Sequence, residues 1–345
     1  MWAEIEQQPA ALRATLDALL PRVPEVIALA KNTRQVLFIA RGTSDNAAVY
    51  GSYLAQVRAG RLATLASPSV ATTYRARLDL SGVLAVALSQ SGRTEEIVQT
   101  MAWAADCGAR TLAITNGADS PLAAQADLAF VTQAGVERAV PATKTFTTQL
   151  AALAVLGLGL NADEEGATPI DQEELNNVPD EIERLLANPG DLTPLIEGLA
   201  AVEGAVVSGR GYAYSAALEL ALKLKEACYL HAMGLSFADL LHGPIAVVDQ
   251  RTPAVIMAAD SGPTVEGAVA LAHRVMGSGA PAYGIGGGRA LAAECAYALP
   301  GPRLPEWLAP IGLIIAGQLL TEALARRLDL DPDHPRGLSK VTQTS

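Results

Sequence analysis

The sequence is poor in cysteine, aromatic residues and lysine, and it lacks a long hydrophobic run. Cys107, Cys228 and Cys295 lie far apart with no CxxC pair, which excludes a cysteine-based metal motif and a disulfide framework and favours a reducing, cytoplasmic setting. The apolar stretch 307–320 is shorter than the ~20 residues that a membrane span needs. The N-terminal segment lacks the apolar core of a signal peptide. We therefore expect no association with a membrane.

Acidic residues outnumber basic ones, and the formal net charge is -11. Nucleic acid needs a cationic surface and is excluded as a main partner. Hydrophobic residues make up 50% of the chain and charged residues 18%, which predicts a large core and little disorder. With 345 residues, the chain has room for two ordinary domains or for one domain built twice.

Short apolar runs alternate with alanine-rich helical stretches. The runs at 35–40, 83–88 and 111–115 are rich in β-branched or aliphatic residues and too short for buried helices. This rhythm predicts an α/β fold in which parallel sheets are covered by helices on both faces. A charged stretch with prolines, 161–191, interrupts the rhythm and is predicted to connect two domains.

Three segments of the first half recur in the second half. The offset is 169 to 171 residues, as between Ser91 and Ser261, for the pairs 38–48 and 206–217, 86–96 and 256–266, and 113–130 and 283–299. Separated matches at a nearly constant offset indicate a duplication. We therefore predict two tandem domains of one fold.

Small polar loops follow the predicted strands of the first half, at 41–44 (RGTS) and 89–94 (SQSGRT). Ligands of parallel sheets bind at the carboxyl ends of the strands, where helix N-termini attract anions. Helix capping or turn formation would explain one hydroxyl, whereas three hydroxyls within six residues, with a glycine between them, favour an oxyanion. We predict a phosphate site formed by Thr43, Ser44, Ser89, Gln90, Ser91 and Thr94.

The corresponding loops of the second half are less polar. Loop 259–264 (ADSGPT) has lost the first serine and the glutamine, so the first half is the one expected to bind the phosphate. The glycine-rich segment 284–288 lacks the G-x-G-x-x-G spacing of a dinucleotide site, and no G-x-x-x-x-G-K-[ST] phosphate loop occurs. We therefore predict neither a nucleotide cofactor nor nucleotide hydrolysis.

Charged residues recur on one face of a predicted helix, where Glu219, Lys223 and Glu226 are spaced at i, i+4 and i+7. Such charges commonly form a solvated stripe. The chain has only five lysines, however, and two of them lie in this helix, which hints at a need for an amine. His242, before a Gly-Pro turn, fits either a structural hydrogen bond or proton transfer.

Six motifs in a fixed order, which span nearly the whole chain, resemble the sugar isomerase (SIS) family. They are RGTS (41–44), SQSGRT (89–94), ATKTFTTQL (142–150), ALELALKLKEACYLHA (217–232), LLHGP (240–244) and PRGLSKV (335–341). They are most similar to the isomerase half of glutamine:fructose-6-phosphate amidotransferases and to stand-alone SIS-type glucosamine-6-phosphate deaminases. The resemblance implies two three-layer, flavodoxin-like domains at 1–160 and 192–330, a linker at 161–191, and a tail at 331–345 that closes the active site. Composition alone would make that tail a disordered end.

The resemblance also implies roles for single residues. Glu226 would move a proton between C1 and C2 of the open-chain sugar, and His242, from the neighbouring subunit of a homodimer, would open the ring. Lys340 would contact the C2 carbonyl or form an imine with it, while Lys223 and Arg336 would stabilise negative charge. No metal or other cofactor is implied, since imine formation acidifies the transferred proton. Besides the phosphate ligands, the implied substrate contacts are Gly42, Val140, Ala142 and Ser339.

Two departures from the amidotransferase pattern bear on the activity. Residue 2 is Trp2, and the following segment resembles the start of the isomerase half, so we expect no glutaminase and no internal ammonia source. The expected reaction is deamination of glucosamine 6-phosphate to fructose 6-phosphate. Alternatives are a deglycase of 6-phosphorylated fructosamine adducts, ammonia-dependent synthesis, or a sugar-phosphate sensor. Pro141 and Ala142 stand where the amidotransferases usually have alanine and serine, which leaves the exact sugar open.

Overall fold

A computed structural model of the protein describes residues 1–162 and 169–340. These residues contain two sheets, each of five parallel strands. The first sheet consists of β1 (Gln35–Ile39), β2 (Leu62–Leu65), β3 (Val83–Leu88), β4 (Arg110–Thr115) and β5 (Leu128–Val131). The second consists of β6 (Gly204–Gly209), β7 (His231–Ser236), β8 (Ala254–Ala258), β9 (Ala282–Gly286) and β10 (Tyr297–Leu299).

Both sheets have the same strand order, which is β2-β1-β3-β4-β5 in the first and β7-β6-β8-β9-β10 in the second. In each case the second strand of the domain lies at one edge, and the order reverses between the first and third strands. This is the flavodoxin-like order of a doubly wound sheet. The predicted α/β fold, with two tandem copies of one domain, is confirmed.

Sixteen α-helices lie in the part of the chain that the structure describes. They are α1 (Trp2–Glu6), α2 (Gln8–Leu19), α3 (Val23–Ala30), α4 (Thr43–Tyr53), α5 (Ser69–Thr72), α6 (Glu95–Asp106), α7 (Pro121–Gln125), α8 (Lys144–Asn161), α9 (Pro169–Asn176), α10 (Val178–Ala187), α11 (Thr193–Ala200), α12 (Ala213–Cys228), α13 (Phe237–Leu241), α14 (Val265–Gly277), α15 (Gly288–Glu294) and α16 (Ala309–Arg327). Within the same residues, no helix is both long and apolar enough to cross a bilayer.

The central strands are continuous apolar runs because both of their faces are buried. All six residues of β3 are buried, because helices cover the sheet on both faces. On one face, Ala85 and Ala87 pack with Ile97 and Met101 of α6. The second sheet repeats this packing, where Ile256 of β8 shares a core with Leu271 of α14.

Contacts divide the chain into two compact units, each with one sheet. The unit with the first sheet comprises Ala10–Glu137, Lys144–Asn176 and the tail from Ser339. The unit with the second sheet comprises Met1–Pro9, Arg138–Thr143 and Asn177–Leu338. The predicted linker 161–191 contains α9 and α10, and its residues 163–168 lie outside the described residues, as do 341–345 of the predicted tail.

Candidate functional site

The loop 89–94 connects β3 to α6 and is held together by its own hydroxyls. The Gly92 N–H donates to Oγ of Ser89 at 3.2 Å, and the Arg93 N–H donates to Oγ of Ser91 at 3.2 Å. Oγ1 of Thr94, the residue before α6, lies 3.4 Å from Oγ of Ser89. Turn formation thus uses the serine oxygens as acceptors, and their O–H protons remain able to donate to an anion.

Gly92 is the position at which this loop tolerates no side chain. Its φ is +62°, and a Cβ added there would lie 2.2 Å from Oγ of Ser120 and 2.7 Å from Oγ1 of Thr115. The backbone therefore reaches close to the loop that follows β4. The half-buried Gln90 is held in the same way, because its carbonyl accepts the Asn116 N–H at 3.0 Å.

The loop 41–44 connects β1 to α4. Gly42 precedes the helix with φ +57° and ψ −129°, a conformation open essentially to glycine alone, and a Cβ there would meet nothing within 4 Å. Ser44 is buried, and its Oγ accepts a hydrogen bond of 3.0 Å from Nε2 of Gln149 in α8. Thr43 is half-buried at the first turn of α4.

An ion pair joins the loop 41–44 to the first turn of α6. Arg41 Nε and Nη2 donate to the two carboxylate oxygens of Glu96 at 3.0 and 3.1 Å. The bidentate geometry fixes the start of α4 relative to the first turn of α6. The structure thus brings the predicted phosphate ligands to the carboxyl ends of two neighbouring strands, β1 and β3, where the strand order reverses.

Lys340 contacts a buried carboxylate, Glu137, that is not among the site residues predicted from the sequence. Its Nζ donates to Oε2 of Glu137 at 2.6 Å, and the side chain of Glu137 is fully buried. Thr145, in the first turn of α8, donates to the same carboxylate through its N–H at 3.1 Å and its hydroxyl at 2.6 Å. An acidic residue inside a mostly neutral stretch, 128–160, was the available sequence signal for Glu137.

The charged face of α12 is not a solvated stripe. Lys223 is fully buried, and its Nζ lies 3.4 Å from Oε1 of Glu219, which is also fully buried, and closer still to Oε2 of Glu226. Burial works to lower the pKa of Lys223, but the two carboxylates outweigh it, so the pKa is raised above its ordinary value. Glu226 keeps 23% of its side chain exposed and is the member of the triad that a substrate could reach.

Arg336 lies at the C-terminal end of the helix that carries Glu226. Its guanidinium carbon is 4.2 Å from the ring centroid of Tyr229, and its backbone N–H donates to the Tyr229 hydroxyl at 2.8 Å. Tyr229 follows α12 in the left-handed conformation, with φ +55°. The sequence does not predict this conformation, because aromatic residues rarely adopt the left-handed region.

The remaining predicted residues are distributed as follows. His242 is exposed directly after α13, beside the exposed Leu241. Val140 and Ala142 are half-buried, and the Val140 N–H donates to the Asp333 carbonyl at 3.0 Å. Ser339 is exposed.

The two units hold different parts of the predicted site. The first-sheet unit contains Lys340, Ser339 and the phosphate ligands, and the second-sheet unit contains Glu226, Lys223, Arg336, His242, Val140 and Ala142. Polar contacts of Asp333, Arg336 and Lys340 hold the described part of the tail. This part is therefore ordered, whereas composition alone suggests a disordered end. Among residues 1–162 and 169–340, no cluster of three or more His, Cys, Asp or Glu is placed to hold a metal ion.

The chain belongs to the SIS domain family, whose model matches residues 29–158 and 199–300, one match for each sheet. It is 33% identical over 345 residues to the glutamine–fructose-6-phosphate aminotransferase (isomerizing) of Thermococcus kodakarensis, an alignment that covers 99% of this chain and 57% of that protein. The chain therefore spans little more than half the length of the curated relatives it matches.

Two solved structures show the same fold. The C-terminal domain of glucosamine-fructose-6-phosphate aminotransferase from Francisella tularensis superposes with a TM-score of 0.87 at 28% identity, over 96% of this chain and 97% of that one. Glucosamine-6-phosphate deaminase from Thermotoga maritima gives a TM-score of 0.79 over 99% of both chains. The latter is only 23% identical, so its likeness concerns the fold alone. The family model and these structures together define the chain as a protein with two SIS domains.

Proposed function

We propose that the chain is an isomerising deaminase that converts glucosamine 6-phosphate and water to fructose 6-phosphate and ammonia. The observation that carries the proposal is the triad on α12. A partly exposed carboxylate, Glu226, is oriented by a buried ammonium, Lys223, which a second buried carboxylate holds in place. A fixed carboxylate is a suitable base for the proton on a carbon next to a carbonyl.

The loops after β1 and β3 bind the phosphate of the substrate in this proposal. Ser89 and Ser91 accept backbone N–H groups and can donate their O–H protons to phosphate oxygens. Arg41 is already neutralised by Glu96, so the binding relies on hydroxyls and backbone N–H groups. Such a site anchors a dianion through hydrogen bonds.

Glu226 removes the proton from C2 of the open-chain amino sugar and returns it to C1. The C1 oxygen gains a proton and the amino group loses one, so that C1 becomes a hydroxymethyl group and C2 carries an imine. The Lys340 ammonium passes a proton to its ion-pair partner Glu137, and the neutral amine then adds to this carbon and expels ammonia. Water hydrolyses the resulting imine to the ketone of fructose 6-phosphate and frees Lys340. We place Lys340 in this role because Glu137 holds its amine at a defined position. Arg336, fixed on Tyr229, stabilises the negative charge that develops on the sugar oxygen.

The direction proposed is hydrolytic, with water as the co-substrate and ammonia as the product that leaves. We also propose that it acts as a homodimer in the cytoplasm, where its three free thiols stay reduced. The dimer is proposed because His242 is exposed beside Leu241 and near Val247, which expose 39% and 45% of their surface. His242 would then open the sugar ring in the site of the partner.

A substrate panel tests the proposal. Purified protein is incubated with glucosamine 6-phosphate, and ammonia and fructose 6-phosphate are measured in coupled assays across neutral and mildly alkaline pH. We expect both products in equal amounts. Absence of both would falsify the deaminase proposal. Turnover of an N-substituted fructosamine 6-phosphate but not of glucosamine 6-phosphate would instead show a deglycase.

A further inference from the structure

The second sheet carries a cavity of about 410 Å³ at the carboxyl ends of its strands. Its walls come from the loops that follow β8, β9 and β10, at Asp260, Gly288 and Gly301, and from Arg184 of α10. All of these residues belong to one unit. The glycine-rich segment 284–288, which matches no dinucleotide motif, thus forms part of the wall of a ligand-sized space.

Three arginines line this cavity. Arg184 is committed to Glu181, to which its Nε and Nη2 donate at 2.8 and 2.5 Å. Arg289 and Arg303 are exposed, and the charge of Arg303 also acts on the Glu181 carboxylate. The cavity therefore presents two exposed guanidinium groups to a ligand.

Asp260 places a carboxylate in the same cavity. Its Oδ1 accepts the Gly288 N–H at 3.1 Å. Burial raises the pKa of Asp260, while this hydrogen bond and the charge of Arg184 work to lower it. The other oxygen of the carboxylate can accept hydrogen bonds from hydroxyl groups, but it repels a bare anion.

We infer that this cavity is a second binding site, separate from the phosphate loops of the first sheet, for a small phosphorylated sugar. Arg289 and Arg303 hold the phosphate, since guanidinium groups match phosphate oxygens in pairs. Asp260 accepts hydrogen bonds from sugar hydroxyls and thereby selects against inorganic anions. A volume of about 410 Å³ accommodates a hexose phosphate.

The duplication supports a division of labour between the two sheets. Asp260 stands 170 positions after Gln90, the offset of the repeat between Ser91 and Ser261. The carboxylate thus replaces an amide of the first-half phosphate loop. The corresponding loop of the second sheet lacks the first serine and the glutamine, and arginines lie further along the same edge.

Calorimetric titration tests the inference with glucose 6-phosphate, glucose and inorganic phosphate as probes. The full chain carries Ser89→Ala and Ser91→Ala, which weaken the first-sheet loops. We expect glucose 6-phosphate to bind and the added pair Arg289→Ala and Arg303→Ala to weaken it at least about tenfold. Glucose and inorganic phosphate should each bind at least about tenfold more weakly than glucose 6-phosphate.

Three further measurements make the test decisive. Arg251→Ala removes an arginine that is 91% exposed and outside the cavity, and it should leave the binding unchanged. Asp260→Asn should weaken glucose 6-phosphate but not inorganic phosphate. If the serine variants do not fold, as judged by thermal melting, the arginine substitutions are made in the otherwise unchanged chain. That chain should bind glucose 6-phosphate at two sites, the first-sheet loops and the second-sheet cavity, and the arginine substitutions should remove the binding at the cavity.

The inference is overturned if the arginine variants bind glucose 6-phosphate as tightly as the Arg251→Ala control. It is equally overturned if inorganic phosphate binds as tightly as glucose 6-phosphate, because the arginines would then form an adventitious anion patch only. Absence of glucose 6-phosphate binding up to about 10 mM, beyond the range of useful metabolite affinities, also rejects it. None of these outcomes depends on whether the chain is a deaminase.

Discussion

Lys340 donates a 2.6 Å hydrogen bond to Glu137, a carboxylate whose side chain is completely buried. A buried carboxylate requires a charged or strongly polar partner, and the partners of Glu137 include Lys340 and the two donors of Thr145. The pair therefore links the position of the tail amine to the folding of the first-sheet unit.

Replacing Lys340 with Met should impair both activity and stability. The imine step loses its amine, so turnover should fall at least about 100-fold. Glu137 loses the Lys340 cation but keeps Thr145, so the free energy of unfolding should fall by about 1–3 kcal/mol in urea titrations. Lys225→Met, which changes an exposed lysine of α12, is the matched control and should alter neither quantity. Full activity in Lys340→Met would remove Lys340 from the mechanism.

Glu226→Gln should lower kcat by about 100- to 10,000-fold, the range that general acid–base groups contribute. Substrate affinity should change little, because the phosphate loops lie on another sheet. Steady-state kinetics and calorimetric binding separate the two effects. Glu266→Gln, at an exposed glutamate in the first turn of α14, provides the control. A Glu226→Gln protein with normal kcat would contradict the role of this carboxylate.

Mixing two inactive variants tests the proposed sharing of His242. His242→Ala and Glu226→Gln chains are co-refolded in equal amounts, and ammonia release is measured. If His242 acts in the site of the partner, half of the dimers are mixed and each has one intact site, so about a quarter of the normal activity returns. Activity no higher than that of the separate variants would place His242 in its own chain's site or outside the mechanism.

Lys223→Met should lower the free energy of unfolding by about 3–5 kcal/mol, because it leaves Glu219 buried without its cation. Adding Glu219→Gln should recover part of this loss.

The pKa of Lys223 is raised in the folded state above its ordinary 10.5. Its stabilising contribution is therefore complete below about pH 10 and is lost as the pH rises through the folded pKa. Denaturant titrations from pH 8 to 11 should show a steeper decline in the natural protein than in Lys223→Met; parallel declines would refute the linkage.

Gly92→Ala should destabilise the protein by about 1–3 kcal/mol and weaken substrate binding, because φ is +62° and the new Cβ would meet Ser120 and Thr115. Gly277→Ala is the control, since a Cβ at this helical position meets nothing within 4 Å. It should be neutral or stabilise by up to about 1 kcal/mol. Thermal melting and KM measurements compare the two. Equal stability of both variants would show that the loop can rearrange.

The periodic and repetitive parts of the structure were accessible from the sequence. Runs such as Val83–Leu88 predicted buried parallel strands, and the matching offsets predicted two copies of the fold. The spacing of Glu219, Lys223 and Glu226 placed them on one face, but only the packing of α12 shows that Lys223 is buried.

Contacts between distant segments were not accessible in the same way. The pairing of Lys340 with Glu137 joins residues 203 positions apart, and no local pattern specifies it. The ring of Tyr229 stacks on the Arg336 guanidinium from a left-handed conformation that the sequence does not predict. The cavity of the second sheet likewise depends on loops after three strands, which only the fold assembles.

The hydrogen bonds from Gly92 to Ser89 and from Arg93 to Ser91 also have a thermodynamic consequence. The loop after β3 is ordered by its own contacts, so little conformational entropy is left to lose when an anion arrives. Binding of a phosphate group there should be fast and nearly rigid, with the favourable enthalpy of its hydrogen bonds retained as affinity.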